Sequence, residues 1–424
     1  MRLPYFALFL NKNIPMNPGT ALSSAATQYD DCLLSSCLRK LFSGKAKNKA
    51  ETSFIVSNHV AAVKKELDQL NGGVTELSYA YLQAMELSVP GPLFYYAVVY
   101  KEGLPVLFAW FQLFTLTSRN FRLEKDKGFV KRIIHLFLEL KKVSVLMSGN
   151  ALRNDTPCYC YKDACLGKAE AAELVASIAE KIAADECASA LILKDIPFTA
   201  HQQQWLADIG FSRPWEDQEM VLDINKDWTS LAHYTDALSR KYKARAKKIL
   251  ESANGLAIKN LSGDDIVANS VVMYQLFKNV TDNQSFLLTR PEANHFALMK
   301  DIYQDNFEVI GFYNNDELVA FYSAFITGAS YELYYVGLNY EINSQYQLYF
   351  NLLFSGLERA ITLKKKILKT GRTSFDAKAS MGARPAELSY YSKTGNIPNA
   401  VTKWFANYFA AMEDGKWKQR NPLK

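Results

Sequence analysis

At 424 residues, 49% apolar and 22% charged, the chain is too long for one ordinary core and too apolar for a disordered or fibrous one. Two domains plus extensions are expected. The net charge of +6 comes from scattered lysines and arginines, which permits a phosphate-bearing partner without demanding one. The 24 Tyr and 25 Phe fall largely in short alternating runs, favouring half-buried strands over a helical bundle.

Residues 1–50 read as a poorly ordered leader. Met1–Leu10 is apolar but short, and Asn11, Lys12 and Asn13 end it without a small-residue cleavage site, so Met16 is an alternative start. Cys32, Cys37, Cys158, Cys160, Cys165 and Cys187 show no paired CxxC spacing and no nearby histidine. They are expected to be reduced thiols of a cytoplasmic protein, with no metal. From Thr52 to Lys393 the pattern is dense. A hairpin over Phe94–Phe114 turns at Lys101-Glu102-Gly103, which also breaks the longest apolar stretch, Leu93–Leu116, and argues against a membrane span. There follow a helix (about Gly128–Leu140), a strand (Val143–Met147), a helix (Lys168–Ala184), a strand (Ala190–Leu193) and, after Gly210, a strand at Met220–Asp223.

A junction is expected near Asn225–Trp228, and then the plan recurs. Helices over Leu231–Leu250, about Val272–Val280 and about Pro291–Ile302 lead to a hairpin at Phe307–Phe325 and a strand at Tyr331–Val336. A helix (Gln345–Thr362), a strand (Ile367–Thr370) and, after Gly382, a strand at Glu387–Tyr391 complete it. Two copies of a mixed α/β domain, 51–225 and 226–393, are the economical reading. Residues 394–424 carry an amphipathic helix (Ile397–Gly415, with Val401, Trp404, Phe405, Tyr408, Phe409 and Met412 in a stripe) and the basic tail Lys416–Arg420. Such a stripe docks on its own domain or, with these cations, rests peripherally on anionic lipid at the inner face of the membrane.

Two segments carry candidate chemistry. In Ser239–Lys248 the cations Lys241, Arg245 and Lys248 share a helix face, and Arg240, Lys243 and Arg245 are candidates to bind phosphates. The plain alternative is a solvated basic face. In Gly371–Pro385 a strand ends in a loop that sets Lys378 between two glycines and two arginines, where an anion or developing oxyanion could sit. Asp376, two residues earlier, is expected to share a strand face with Lys378 and to orient it or take an amine proton, unless it is a plain ion pair. Arg372 and Arg384 suit a phosphate or carboxylate, or are surface charges. Tyr346 is a substrate-binding candidate, although its ring, like those of Tyr390 and Tyr391, also suits packing. His59, His135, His201, His233 and His295 are dispersed and read as structural or surface groups. With no Ser-His-Asp or Cys-His arrangement, direct attack in a ternary complex fits better than a covalent intermediate.

The stretch Leu238–Lys393 resembles the FemABX-like branch of the GNAT acyltransferase superfamily. The likeness rests on the basic helix SRKYKARAKKIL, on the strand Tyr331–Leu338 with its long following helix, and on the closing segment GRTSFDAKASMGARPAELSYYSK. The first half looks like the degenerate partner of a tandem, so the resemblance spans about Thr52 to Lys393. It implies two tandem GNAT-like domains and transfer of an acyl or aminoacyl group to an amine. The donor would be acyl-CoA, an acyl carrier protein or aminoacyl-tRNA, with no permanently bound cofactor and no metal. The acceptor would be a cell-envelope precursor, an amino-lipid or an amino-sugar. Lys378 corresponds to the family's functional lysine. The family's CoA loop has the form Arg/Gln-x-x-Gly-x-Gly/Ala, whereas Tyr340–Gln347 has no glycine and Lys162–Lys168 only approaches the pattern. Ordinary acetyl-CoA binding is therefore not expected. Asp264–Gln304 offers only ordinary helices, with none of the charged heptads of the coiled-coil arm that tRNA-using members often carry. A protein that keeps the fold but only binds an envelope or nucleic-acid anion is the alternative from another class.

Overall fold

The computed structural model describes residues 39–40, 52–121, 136–140, 142–212, 217–388, 390–395 and 418–424. They fall into two compact units, each discontinuous in sequence. The leader lies outside the described residues except for Arg39–Lys40, as do most of the helix expected at Gly128–Leu140 and the stripe at Ile397–Gly415.

The first unit is built on β1 (Arg39–Lys40), β2 (Thr52–Ser57), β3 (Leu93–Lys101), β4 (Leu104–Leu116), β5 (Val143–Ser148), β6 (Tyr159–Tyr161) and β7 (Ala190–Lys194). These pair in the order β1-β2-β3-β4-β5-β7, with β6 also on β4. Strand β4 is long enough to fork. Its Phe111–Leu116 stretch pairs with β5, while Leu107–Ala109 pairs with β6. At the fork, Trp110 donates its N–H to the Cys158 carbonyl, and its own carbonyl accepts from Gly149, which turns at φ +64. The helix Lys168–Asp185 buries Ala171, Ala172, Val175, Ala176, Ala179 and Ile182, an alanine-rich face that lets a helix lie close to a sheet.

The second unit contains β8 (Asp217–Asp223), β9 (Ala257–Asn260), β10 (Phe307–Asn314), β11 (Glu317–Ile326), β12 (Ser330–Leu338), β13 (Ile367–Lys369) and β14 (Arg384–Leu388). Their order is β14-β8-β13-β12-β11-β10-β9. Strands β12 and β13 run parallel but pair only through Ser330–Glu332 and Ile367–Lys369. Beyond Glu332 they part, and Leu333–Val336 of this otherwise central strand are left half-exposed. The pairing of β11 with β12 is interrupted there by a bulge at Tyr322/Ala324. Ser323 fills the interrupted ladder, its hydroxyl accepting from Tyr335 N–H at 3.1 Å and donating to the Tyr335 carbonyl at 3.3 Å. Below the sheet the helix Leu348–Thr362 buries Leu352, Leu353, Leu357 and Ile361 against Tyr331, Leu368 and Leu222.

Both mixed sheets and both hairpins agree with the expected α/β class. Strand allocation differs. Periodicity closes the first half with Met220–Asp223 and the second with Glu387–Tyr391, but β8 lies in the second sheet between β13 and β14. The expected closing strand is in fact two, and its latter part, β15 (Tyr390–Thr394), pairs with β7 in the first sheet. The boundary expected at 225/226 is thereby crossed in both directions. Hydrophobic alternation fixes which face of a strand is buried but not which sheet it joins. The single helix expected over Leu231–Leu250 is two, Leu231–Ala237 and Arg240–Ser252. Among the described residues no helix is long and apolar enough to cross a membrane, and no group of His, Cys, Asp or Glu could hold a metal ion.

Gly337 allows β11, β12 and the helix Ser270–Thr281 to meet. A Cβ there would collide with the Phe321 ring and lie 2.9 Å from Leu276 Cβ. Gly337→Ala is therefore expected to destabilise the protein by about 1–3 kcal/mol, the usual cost of overpacking. Thermal unfolding would show this as a lowered midpoint, and an unchanged midpoint would mean that the site relaxes freely.

Candidate functional site

The end of β13 is pinned to β8 by main-chain contacts. Thr370 donates its N–H and its hydroxyl to the Met220 carbonyl, both at 2.8 Å, and Met220 N–H donates to the Gly371 carbonyl at 3.0 Å. Gly371, at φ +77, then turns the chain out of the sheet, a conformation that glycine adopts without steric cost. A five-residue helix follows, Phe375–Ala379, and Gly382 at φ +96 returns the chain to β14.

This short helix carries Lys378 inward. The residue is 3% exposed, and its Nζ donates to the Gly371 carbonyl at 3.0 Å. An ammonium has three protons to donate, and one neutral acceptor in a buried site compensates it poorly. Burial accordingly lowers the Lys378 pKa to about 7, with the Glu219 carboxylate pulling weakly the other way. The amine thus exchanges its proton near neutrality.

Asp376 goes elsewhere. The expected shared strand face does not exist, because residues two apart on a helix point to opposite sides. Asp376 faces solvent and accepts from Arg420, from Nη2 at 2.6 Å and from Nε at 3.2 Å. It neither contacts nor orients Lys378. Arg420 belongs to a tail segment that packs on the second unit: the Pro422 carbonyl accepts from Ser239 N–H at 2.8 Å, and Lys424 N–H donates to the Ala237 carbonyl at 3.0 Å.

The remaining cations are outside the Lys378 site. Arg384 pairs with Asp223 through Nε at 2.8 Å, both side chains exposed. Lys243 pairs with Asp236 at 2.6 Å. Arg372 is exposed in the turn after Gly371. Arg245 lies with its guanidinium 4.9 Å from the centre of the Phe350 ring, beside a shallow groove lined by Tyr242, Ala246, Ile249, Phe350, Ser380 and Met381. Arg240 opens the helix Arg240–Ser252, whose first turn has no acidic residue. The helix dipole and the cations therefore add at that end, making it attractive to anions. Tyr346 is half-buried, and its carbonyl accepts from Asn351 Nδ2 at 2.8 Å and Ser252 Oγ at 3.0 Å, tying two helices together.

The segment matching the usual CoA loop is helical, Tyr340–Tyr346, and Gln347 at φ 43 separates it from the helix Leu348–Thr362. Asn343 Oδ1 accepts from Tyr349 N–H at 3.1 Å. One of the amides that would cradle a pyrophosphate at this helix start is thus already used by the chain itself.

Sequence reasoning missed Glu219, Lys369 and Glu332, which lie on three neighbouring strands. Lys369 Nζ stands 3.8 Å from Glu219 and 3.6 Å from Glu332. A glutamate flanked by strand-forming residues in QEMVLD was the available signal. His295 is fully buried and held neutral, its pKa pushed down to about 3 by burial, with Nε2 3.1 Å from the Tyr334 hydroxyl. This fits a structural group. Burial drives the Cys158 thiol up to about 12, so it is no nucleophile.

No family model matches the chain, and no curated protein sequence matches it. Solved structures that it resembles include FemX, with 10% identity over 82% of this chain and 98% of that one and a TM-score of 0.47. Another is a tandem GNAT protein from the clavulanic acid biosynthesis pathway, with 11% identity over 82% and 100% and a TM-score of 0.47. A third is L-PGS from Bacillus licheniformis, with 10% identity over 82% and 95% and a TM-score of 0.44. These are likenesses of fold, and they assign no activity.

An exposed ion pair contributes little to a neighbouring site. Asp376→Asn is therefore expected to keep any transfer activity that depends on Lys378 within about threefold of the parent. A loss as large as that of a Lys378 variant would restore Asp376 to the reacting centre.

Proposed function

We propose that the second unit transfers an acyl or aminoacyl group to an amine by direct attack in a ternary complex, with Lys378 as proton acceptor. The observation that carries this reading is a buried lysine, its pKa lowered to about 7 by burial, whose amine meets the Gly371 carbonyl just past the end of β13. The acceptor amine attacks the donor carbonyl, forming a C–N bond and a tetrahedral oxyanion. Neutral Lys378 takes the proton that the attacking nitrogen loses, and the resulting ammonium stabilises the oxyanion. Collapse breaks the C–S bond of a thioester or the C–O bond of an aminoacyl ester, and the leaving group carries the proton away.

For the donor, the amide taken up by Asn343 disfavours the usual acetyl-CoA cradle. A donor whose phosphates are met by Arg240, Lys243 and Arg245 is the preferred alternative, with Arg372 and Arg384 as further candidates, and aminoacyl-tRNA and carrier-protein thioesters both qualify. An envelope precursor is the proposed acceptor, with amino-lipids and amino-sugars as alternatives in the same class. The reaction is placed in the cytoplasm, at the inner membrane face where the acceptor is lipid-linked. Lipid contact through the stripe at Ile397–Gly415 would suit that position. The outward turn of Asp376 supports a second reading, a fold-retaining protein that only binds an anion.

Incubating the protein with labelled acyl-CoA, acyl carrier protein and aminoacyl-tRNA in parallel, against a pool of amines, separates these readings. Transfer from at least one donor is expected, falling on the order of 10²-fold in Lys378→Met. Transfer from none would favour the binding protein. Because the neutral amine is the working form, kcat/KM should rise with pH up to about 7 and then level. That limb should vanish in Lys378→Met, and a limb that persists would belong to another group.

A further inference from the structure

Strand β8 alternates cleanly. Met220 and Leu222 enter the core with Tyr331 and Leu368, so Glu219, Val221 and Asp223 take the opposite face. Val221 pairs with Lys369, and Lys369 pairs with Glu332. Register therefore places Glu219, Lys369 and Glu332 on one side of three adjacent strands. Glu219 is only 6% exposed. Lys369 lies within 4 Å of both carboxylates, and Glu332 also accepts from the Thr327 hydroxyl at 3.2 Å. Two carboxylates thus lie beside one ammonium within a largely buried cluster.

The cluster is wired to the Lys378 site by the main chain. Met220, the residue after Glu219, donates to the Gly371 carbonyl, the same oxygen that Lys378 Nζ uses. We propose that Glu219 is a positioning residue for Lys378, and that its carboxylate, balanced against Lys369 and Glu332, sets how much positive charge the Lys378 amine carries. This rests on the reading of Lys378 as proton acceptor and adds the group that tunes it. Other charges near Lys378 are committed or exposed. Asp376 on the same short helix faces Arg420, Arg384 on β14 faces Asp223, and Arg372 is exposed in the turn. Glu219 is the charged group that acts on Lys378 against the effect of burial.

The signs of two substitutions differ. Glu219→Gln removes a negative charge and leaves Lys369 less compensated, so Lys378 should lose its proton at lower pH. Lys369→Met removes a positive charge and frees the field of both carboxylates, so Lys378 should hold its proton to higher pH. Lysine-specific ¹³C labelling, with the Lys378 side-chain shift followed from pH 5 to 10, reads this without any substrate. The parent should titrate near 7, with midpoints displaced by about one pH unit downward in Glu219→Gln and upward in Lys369→Met. Glu219→Asp should return the midpoint toward that of the parent, and any limb in kcat/KM should move with it. Unchanged midpoints in both folded variants would overturn the role of Glu219 while leaving Lys378 as proton acceptor. A parent Lys378 that titrates as an ordinary lysine would overturn both.

Discussion

Two parallel strands that pair through three residues and then separate are the constraint on which the second unit turns. Separation leaves one flank of β12 without a ladder partner from Leu333 onward, in the middle of a sheet whose hairpin strands β10 and β11 are buried. Unpaired main chain in that position has to be shielded or used. On the flank that stays paired with β11, Ser323 takes over hydrogen bonds at the bulge; Gly337 lets the Phe321 ring lie against the strand, and Gly356 lets the following helix lie against Leu333. Past the end of β13 the Gly371 carbonyl, turned toward β8, accepts from both Met220 N–H and Lys378 Nζ.

The edge of β13 opposite β12 is paired by β8, through Val221, Leu222 and Asp223, over the same three residues that meet β12. β14 then pairs with the far edge of β8, and β15 continues into the first unit's sheet beside β7. Each sheet thus includes a strand that sequence order would give to the other half. Glu219, next in sequence to the residue whose N–H meets the Gly371 carbonyl, belongs to the second unit through β8.

Strong local periodicity was legible in the sequence. The hairpins, β12, β13, and the helices Lys168–Asp185 and Leu348–Thr362 all lie where alternation or a 3.6-residue stripe puts them. Lys378 was singled out through family likeness, not through spacing. Three things were not legible, each for a physical reason. Partner choice for β8 and β15 depends on sheet edges supplied by strands distant in sequence, β13 for β8 and β7 for β15. The helix Phe375–Ala379 is shorter than two turns, too short for a periodic signature, so Asp376 looked like a strand neighbour of Lys378. The ion pairs of Arg384 with Asp223 and of Lys369 with Glu219 join residues far apart in sequence, and nothing local marks either partner as taken.

The two buried lysines among the described residues show why burial by itself does not mark a candidate site. Lys194 ends β7, which parallels β5 as β13 parallels β12, and it is only 1% exposed. Its Nζ donates to the Asn150 carbonyl at 3.0 Å, to the Arg153 carbonyl at 2.8 Å and to the Asp195 carboxylate. Three acceptors, one of them charged, satisfy an ammonium completely, and removing its proton would leave a buried carboxylate without its counter-ion. Lys378 is buried to the same degree beside a single neutral carbonyl. There the charged form is the costly one, and the proton is held loosely enough to be exchanged. In the first unit the lysine at the strand end is a strut; in the second, the shortage of acceptors leaves the lysine's proton loosely held.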